Sequence, residues 1–556
     1  HGSWLAAALA GLALALQMPT HIQIPYYTAA LGSAYWLWHV APHLWRVIRR
    51  QPGEWRRIGQ LTLAGVIWLA SFAALAAVVL LPLVEILPYN NRADFTLADA
   101  NRYALPPALL FTLLTPSNFQ FPEWMMFPGV SSPLLAAIAR LGKRRDAFWF
   151  FALVIGFALI YALGTSTPLF GLAFAIVPGL RLLRVPTRLW FFGGLALAVL
   201  AGLGADALAD AQLRDKLWQY RRGLGGAAGV YFAAGGAALA GNLAMFGRWD
   251  GLLALQLITA AIIVALGWGW LSSRIDGAVL QWALIPVVLL DLLPLAGSQI
   301  DLVNPRDAFL RSTPALDFVA SRKSLFRVYS PAGDLPYAVA AELGVESLDG
   351  LLNFQLAHSA SVIREATGCG NASYATAIPP CLTDRLPTAV PDAERLGQLN
   401  VRFVLSHSPL NDSDFKLALD GSPAVYENLR WKPRARLTPR PSLPSEDALT
   451  GGRESRAEIV SRSAGEYEIA VKAAEAARLI VSEAWAPGWQ ATSGRQSLAV
   501  ERAEGALIGV AVPPGDHLIH LFYSPLGWRI GWPISMAALA GLAVWVVTSR
   551  RRTRQT

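Results

Sequence analysis

Apolar residues recur along the chain in ten blocks, residues 4–17, 24–41, 59–87, 129–140, 147–163, 189–210, 224–246, 252–271, 278–296 and 527–548. A helix needs about 20 apolar residues to cross roughly 30 Å of hydrocarbon, and fewer where neighbours bury its ends. The blocks at 4–17 and 129–140 are short, and the second carries Pro133, so the expected count is about ten, give or take one pair. Runs such as Leu195 to Leu203 are continuously apolar, without the period-2 alternation of a barrel strand, so the blocks read as helices. Residues 297–526 break the pattern. They hold no apolar run long enough to span, and they carry most of the acidic residues.

Within that polar region, short β runs lie at Leu325 to Tyr329, Val401 to Leu405 and Val425 to Leu429, separated by helical or irregular sequence. A Pro- and Arg-rich stretch from Trp431 to Pro444 reads as a linker. Alternating strands follow at Tyr467 to Val471, Arg478 to Ser482, Ser497 to Val500, Leu507 to Val512 and His517 to Phe522, with turns at Pro487-Gly488 and Pro514-Gly515. Five short strands at this spacing indicate a β-sandwich. The expected fold class is therefore a polytopic α-helical membrane protein with an extracytoplasmic α/β plus β-sandwich domain. The expected layout is a transmembrane body at 1–296, a mixed α/β region at 297–430, a linker at 431–455, a β-sandwich at 456–526, a last transmembrane helix at 527–548 and a basic tail at 549–556.

Composition agrees with this division. Hydrophobic residues make up 54% and charged residues 15%, against about 25% charged in soluble domains, which excludes a wholly soluble enzyme. With His1 set inside, Lys and Arg gather in alternate loops, eighteen on one side and six in the opposite short loops. Cytoplasmic loops accumulate these residues, so residues 297–526 fall outside the cytoplasm. The net charge of +9 is then mostly topology, and without a basic stripe interleaved with aromatics it does not indicate nucleic acid. Trp36, Trp38, Trp45 and Trp55 near one membrane end, with Trp528 and Trp532 near the other, fit interfacial belts. Gly225 and Gly229 form a small-xxx-small pair, expected to let helices approach closely.

Candidate chemistry lies mainly in the outward loops. The segment Pro178 to Arg188 places Arg181, Arg184 and Arg188 on the side where arginine is otherwise scarce. Spacings of three and four align them on one helical face, although Pro186 interrupts it. Guanidinium forks suit phosphate or diphosphate. Snorkelling to lipid phosphate or pairing with acids is an equal alternative. The preceding run, Pro168 to Val177, is too short to span and reads as re-entrant or interfacial. Among carboxylates, Glu85, Asp99 and Glu123 are candidate general bases for an acceptor hydroxyl, with Asp94 and Asp291 near the same face. Helix caps and ion-pair partners are commoner roles for such groups. His21 and Gln23 form an outward polar turn suited to a sugar or phosphate, or simply to a local backbone turn. Cys369 and Cys381, the only cysteines, fall in the outside region, where a disulfide is expected. Without clustered His they indicate no metal site. No GxxxxGK[ST], HExxH or GxSxG occurs, so ATP hydrolysis, zinc proteolysis and serine hydrolysis lose support.

Several segments together resemble the YfhO-like bacterial membrane proteins, grouped with the C-type integral-membrane glycosyltransferases. They include Thr20-His-Ile-Gln23, Leu81-Pro-Leu-Val-Glu85, Leu105-Pro-Pro107, Leu113-Leu-Thr-Pro116, Leu183-Arg-Val-Pro-Thr-Arg188 and Leu290-Asp-Leu-Leu293. Asn400-Val-Arg-Phe-Val-Leu405, Val425-Tyr-Glu-Asn428, Ala486-Pro-Gly-Trp489 and Val512-Pro-Pro-Gly-Asp-His517 complete the order. The resemblance implies a transferase of the cytoplasmic membrane that moves sugar from a polyprenyl-phosphate carrier onto a cell-envelope polymer on the outer side. No cofactor is predicted, and dependence on a divalent metal is not readable from the sequence. The resemblance also implies an acidic catalytic residue in a loop after the first helix. The chain opens at His1 inside an apolar segment, so it reads as a fragment that starts beyond that residue and lacks transferase activity alone. A lipid or polysaccharide flippase and a non-catalytic envelope glycan-binding scaffold are the alternatives.

Overall fold

The computed structural model describes residues 4–92, 95–116, 121–247, 250–298, 300, 313–322, 324–352, 354–369, 377–378, 390–439 and 455–553. The chain divides into two compact units. One comprises His1–Pro25, Thr62–Asp94 and Val303–Thr556, the other Tyr26–Leu61 and Phe95–Leu302.

All ten apolar blocks carry helix. They are α1 (Trp4–Ala15), α2 (Gln23–Ile48), α3 (Glu54–Leu75), α4 (Ala77–Ile86), then after the short α5 (Leu97–Ala100), α6 (Ser131–Ala139) and α7 (Arg145–Ala162). The short α8 (Pro168–Ile176) leads to α9 (Trp190–Ala207) and the polar α10 (Ala211–Gln219). Then come α11 (Arg221–Phe246), α12 (Gly251–Leu271) and α13 (Gly277–Gly297). Among the described residues, seven helical segments are long and apolar enough to cross a membrane: Glu54–Leu75, Arg145–Ala162, Pro186–Ala207, Arg221–Met245, Gly251–Leu271, Gly277–Gly297 and Leu526–Ser549. The difference from ten has physical reasons. At 1.5 Å per residue, α1 and α6 reach only about 18 and 13 Å, and α2 is diluted by polar residues and Pro42. The 59–87 block still supplies one span, Glu54–Leu75, although it is broken at Ala76.

The first unit shows how that break is held. Ser535 in the last helix of the described chain, Leu526–Thr553, donates its hydroxyl to the Ala74 carbonyl at 3.1 Å and accepts the Val78 N–H at 3.0 Å. Two backbone groups exposed by the interruption thereby regain partners. The same helix lies on α4 through Gly527 and Gly531. A Cβ at Gly527 would come within 2.5 Å of the Leu81 carbonyl carbon, and one at Gly531 would collide with the Ala77 carbonyl. This is the small-residue contact anticipated for Gly225 and Gly229, around which a Cβ meets nothing within 4 Å.

The rest of that unit is sheet-rich. Its strands are β1 (Arg327–Tyr329), β2 (Glu346–Ser347), β3 (Gly350–Leu351), β4 (Ala377–Ile378), β5 (Val401–Ser406), β6 (Phe415–Leu419), β7 (Ala424–Asn428) and β8 (Ala435–Pro439). They continue as β9 (Arg456–Ser463), β10 (Glu466–Ala473), β11 (Ala477–Ala484), β12 (Trp489–Ser493), β13 (Gln496–Leu498), β14 (Val500–Ala503), β15 (Leu507–Val512) and β16 (Gly515–Tyr523). A mixed sheet runs β2-β1-β5-β7-β6, with β1 parallel to both β2 and β5. Two antiparallel sheets, β13-β12-β16-β10-β9 and β14-β15-β11-β8, share a core of Ile469, Leu479, Val481, Ile508, Val510 and Ile519. The opposite face of β11 carries Ile480 into a second core with Tyr329, Leu396, Val401 and Val404. One strand thus serves both layers.

Five residues of the expected linker are strand. Ala435–Pro439 pairs with β11 at the sheet edge, the one place where a proline without an N–H costs the ladder little. The sandwich therefore begins before residue 456. Residues 440–454 lie outside the described residues.

Candidate functional site

The arginine loop lies in the second unit and is not a helix. A 3-10 turn, Leu180–Leu182, starts from Gly179 at φ +81° and ends at Leu183, which is extended. Proline disfavours helical backbone in the residue before it, and Val185 ahead of Pro186 takes φ +61° and ψ +75°. A second 3-10 turn, Pro186–Leu189, then feeds α9. Arg181, Arg184 and Arg188 therefore do not share one helical face, a correction to the spacing argument. The preceding run is a nine-residue helix, Pro168–Ile176.

A left-handed backbone on a β-branched residue is rare and costs on the order of 1–3 kcal/mol. Packing holds it here, since Leu180, Leu183, Val185 and Leu189 are all buried. The Tyr26 hydroxyl donates to the Pro178 carbonyl at 2.6 Å and steadies the loop's start. Buried Thr187 donates to the Tyr103 carbonyl at 2.8 Å, and the Trp124 indole N–H donates to the same oxygen at 3.2 Å. Tyr103 itself has φ +63°. Its ring stacks on Phe121 with centroids 4.6 Å apart, and the Arg102 guanidinium lies 5.6 Å from its centroid. Neither aromatic contact was apparent in the sequence. Each joins positions far apart in the chain or within an irregular loop, where periodicity carries no signal.

The arginines have separate surroundings. Arg188 Nε donates to Glu123 Oε1 at 2.7 Å. The pair is partly buried, and Glu123 Oε2 is buried without a hydrogen-bond partner among the described residues. Arg181 is exposed, reaches the Phe174 carbonyl at 3.5 Å and lies 5.8 Å from the Phe174 ring centroid. Arg184 is half-buried. The fold thus joins one candidate base to one candidate phosphate ligand, Glu123 to Arg188.

The remaining candidates are engaged elsewhere. Asp99 closes a capping box with Thr96 at the start of α5. Glu85, in the other unit, receives the Gly527 N–H at 2.7 Å and the Leu526 N–H at 3.3 Å, capping the final helix. His21 Nδ1 accepts the Gln23 N–H at 3.3 Å in a local turn, and Gln23 is buried. Asp291 Oδ2 accepts the Ser131 N–H at 2.9 Å and its hydroxyl at 2.8 Å, which caps α6 from a distance in sequence. Cys369 is buried and disulfide-bonded. Cys381 and Asp94 lie outside the described residues. No group of three or more metal-ligating side chains occurs among the described residues.

Compared with known proteins, the chain matches no family model, no curated protein and no solved structure.

Proposed function

We propose that this chain is a membrane glycosyltransferase that moves a sugar from a polyprenyl-phosphate carrier onto a cell-envelope acceptor at the extracytoplasmic face. In this reading it crosses the cytoplasmic membrane about ten times, with the sheet-rich region outside. Membrane residence is supported by the seven long apolar helices, and most directly by Arg221–Met245, whose most apolar stretch has no buried residue. An apolar helix with this much uncovered surface needs lipid around it. The orientation rests on the distribution of Lys and Arg.

The observation that carries the transferase reading is the loop from Leu183 to Arg188. It carries backbone strain at Val185 and places Arg188 beside the Glu123 carboxylate, and such strain concentrates at functional sites. In the proposed reaction the acceptor oxygen attacks the anomeric carbon. The carbon–oxygen bond to phosphate breaks and the polyprenyl phosphate departs with the electron pair. Arg181 and Arg184 stabilise charge on the leaving phosphate. The Glu123 oxygen not held by Arg188 is the base candidate within this chain, taking the acceptor's proton. Arg184→Ala and Arg188→Ala in the full-length gene product are expected to lower sugar incorporation into envelope polymer by tenfold or more. Undiminished incorporation with both variants would remove the assigned role.

A second reading, a carrier of lipid-linked sugar, is favoured by one observation. Gln256 and Asp291 are buried within apolar helices α12 and α13, where polar groups often mark a transport path. Vesicles in which the protein moves carrier lipid without sugar transfer would favour it.

A further inference from the structure

A cavity within the second unit is lined by Phe127, Leu252, Gln256, Thr259, Asp291 and Pro294, among others, with room for a body of about water size. Two of these residues are more than nine-tenths buried and carry oxygens with unmet hydrogen-bonding capacity. Asp291 Oδ2 is fully engaged by Ser131, while Asp291 Oδ1 has no hydrogen-bond partner among the described residues. Gln256 Nε2 donates to the Leu114 carbonyl at 2.7 Å and meets the Tyr231 hydroxyl at 2.6 Å. The Leu114 carbonyl only accepts, so the amide cannot be reversed, and Gln256 Oε1 is left without a partner among the described residues. Asp291 and Gln256, each with one buried oxygen unpartnered among the described residues, therefore line one small space whose other lining residues, Thr259 apart, are apolar.

The surroundings fix these groups. Ser131 opens α6, so the carboxylate is tethered to a helix N-terminus by two bonds. Gly129, at φ +81°, passes so close that a Cβ there would sit 2.5 Å from Asp291 Oδ2. Pro294, which lacks an N–H, leaves the Leu290 carbonyl without its usual helical donor. Thr259 donates its hydroxyl to the Leu255 carbonyl at 2.9 Å and retains oxygen lone pairs.

From this geometry we infer that the cavity is a binding site for a small monovalent cation, held by Asp291 and Gln256. Among the described residues, the two unpartnered polar atoms of the lining side chains are both acceptors, and Thr259 already donates its proton to Leu255, so the ligand must supply positive charge or donors. A sugar is too large and would find no donors for its own oxygens. A divalent ion is disfavoured by a single carboxylate, since such ions gather more charged oxygen ligands. A monovalent cation matches the one negative charge and the available volume. Leaving the carboxylate oxygen unpaired in a low-dielectric interior is costly. The site does not depend on the transferase reading.

The test uses the full chain purified in detergent. Thermal unfolding is followed in sodium, potassium, lithium and choline chloride at constant ionic strength, together with 23Na line broadening of the wild type. The expected result is saturable stabilisation by one small cation over choline, with its apparent affinity reduced at least tenfold in Asp291→Asn. Equal melting in all four salts with no saturable 23Na broadening would overturn the inference and leave a water or a proton as the occupant. Saturable binding unchanged in Asp291→Asn would overturn it as well. Should that variant fail to fold, the wild-type NMR titration and its competition by potassium and lithium still decide the matter.

Discussion

Arg434 is 2% exposed, yet its guanidinium bonds Glu346, meets Glu483 at 2.5 Å and reaches Asn400 Oδ1 at 2.9 Å. Arg327 joins Glu483 at 3.1 Å, and Tyr467 donates its hydroxyl to the same carboxylate at 2.8 Å. The cluster ties the mixed sheet to the sandwich. Burial pushes the Glu346 carboxyl up, but Arg434, Arg462 and Arg327 outweigh it and hold the group below the usual carboxylate range. Removing one partner strands the others in a low-dielectric interior, so Arg434→Ala is expected to cost about 3–5 kcal/mol in denaturant unfolding. Asp349 behaves in the opposite sense. Burial pushes its carboxyl up to about 6, against hydrogen bonds from Ser347 and the Ser330 N–H. The folded state then holds this proton where the unfolded chain has lost it. The stability this group contributes is complete below about pH 4 and is lost as pH rises through about 6. Asp349→Asn should flatten that slope and raise stability near neutrality, as read from melting temperature against pH. A variant with the parental slope would show that the carboxyl does not titrate there.

At the scale of elements, the close helix contacts lie where apolar pattern gives no guidance. Glycine is frequent in apolar helices, and sequence cannot distinguish Gly229, which faces nothing within 4 Å, from Gly531, which lies against the Ala77 backbone. Alanine at Gly531 should destabilise by about 1–3 kcal/mol through overpacking. The same substitution at Gly229 should be neutral or stabilising by up to about 1 kcal/mol through helix propensity. Melting the two variants in one detergent checks both. The same limit governs strands. β10, β11, β15 and β16 were legible because they alternate or bury both faces. The edge strand β9, with little burial, and the proline-bearing β8 were not. The break at Ala76 was also hidden, because its rescue by Ser535 depends on a residue 457 positions from Val78.

For the whole molecule, the division into apolar helices and a sheet-rich region was readable from apolar run length alone, since that property is local. The site was only half legible. Its arginines stand out as misplaced charge, but the partner of Arg188 lies 65 residues earlier and the left-handed turn at Val185 has no sequence signature. The central claim is that the Val185 loop and Glu123 serve transfer of sugar from a lipid-phosphate carrier. The most direct measurement reconstitutes the full-length protein in liposomes with radiolabelled polyprenyl-phosphate sugar and envelope acceptor, comparing wild type with Glu123→Gln and Arg184→Ala. The account predicts transfer by the wild type and a loss of about 10²-fold or more in each variant. Transfer at wild-type rates in both variants, or no transfer by the wild type, would contradict it.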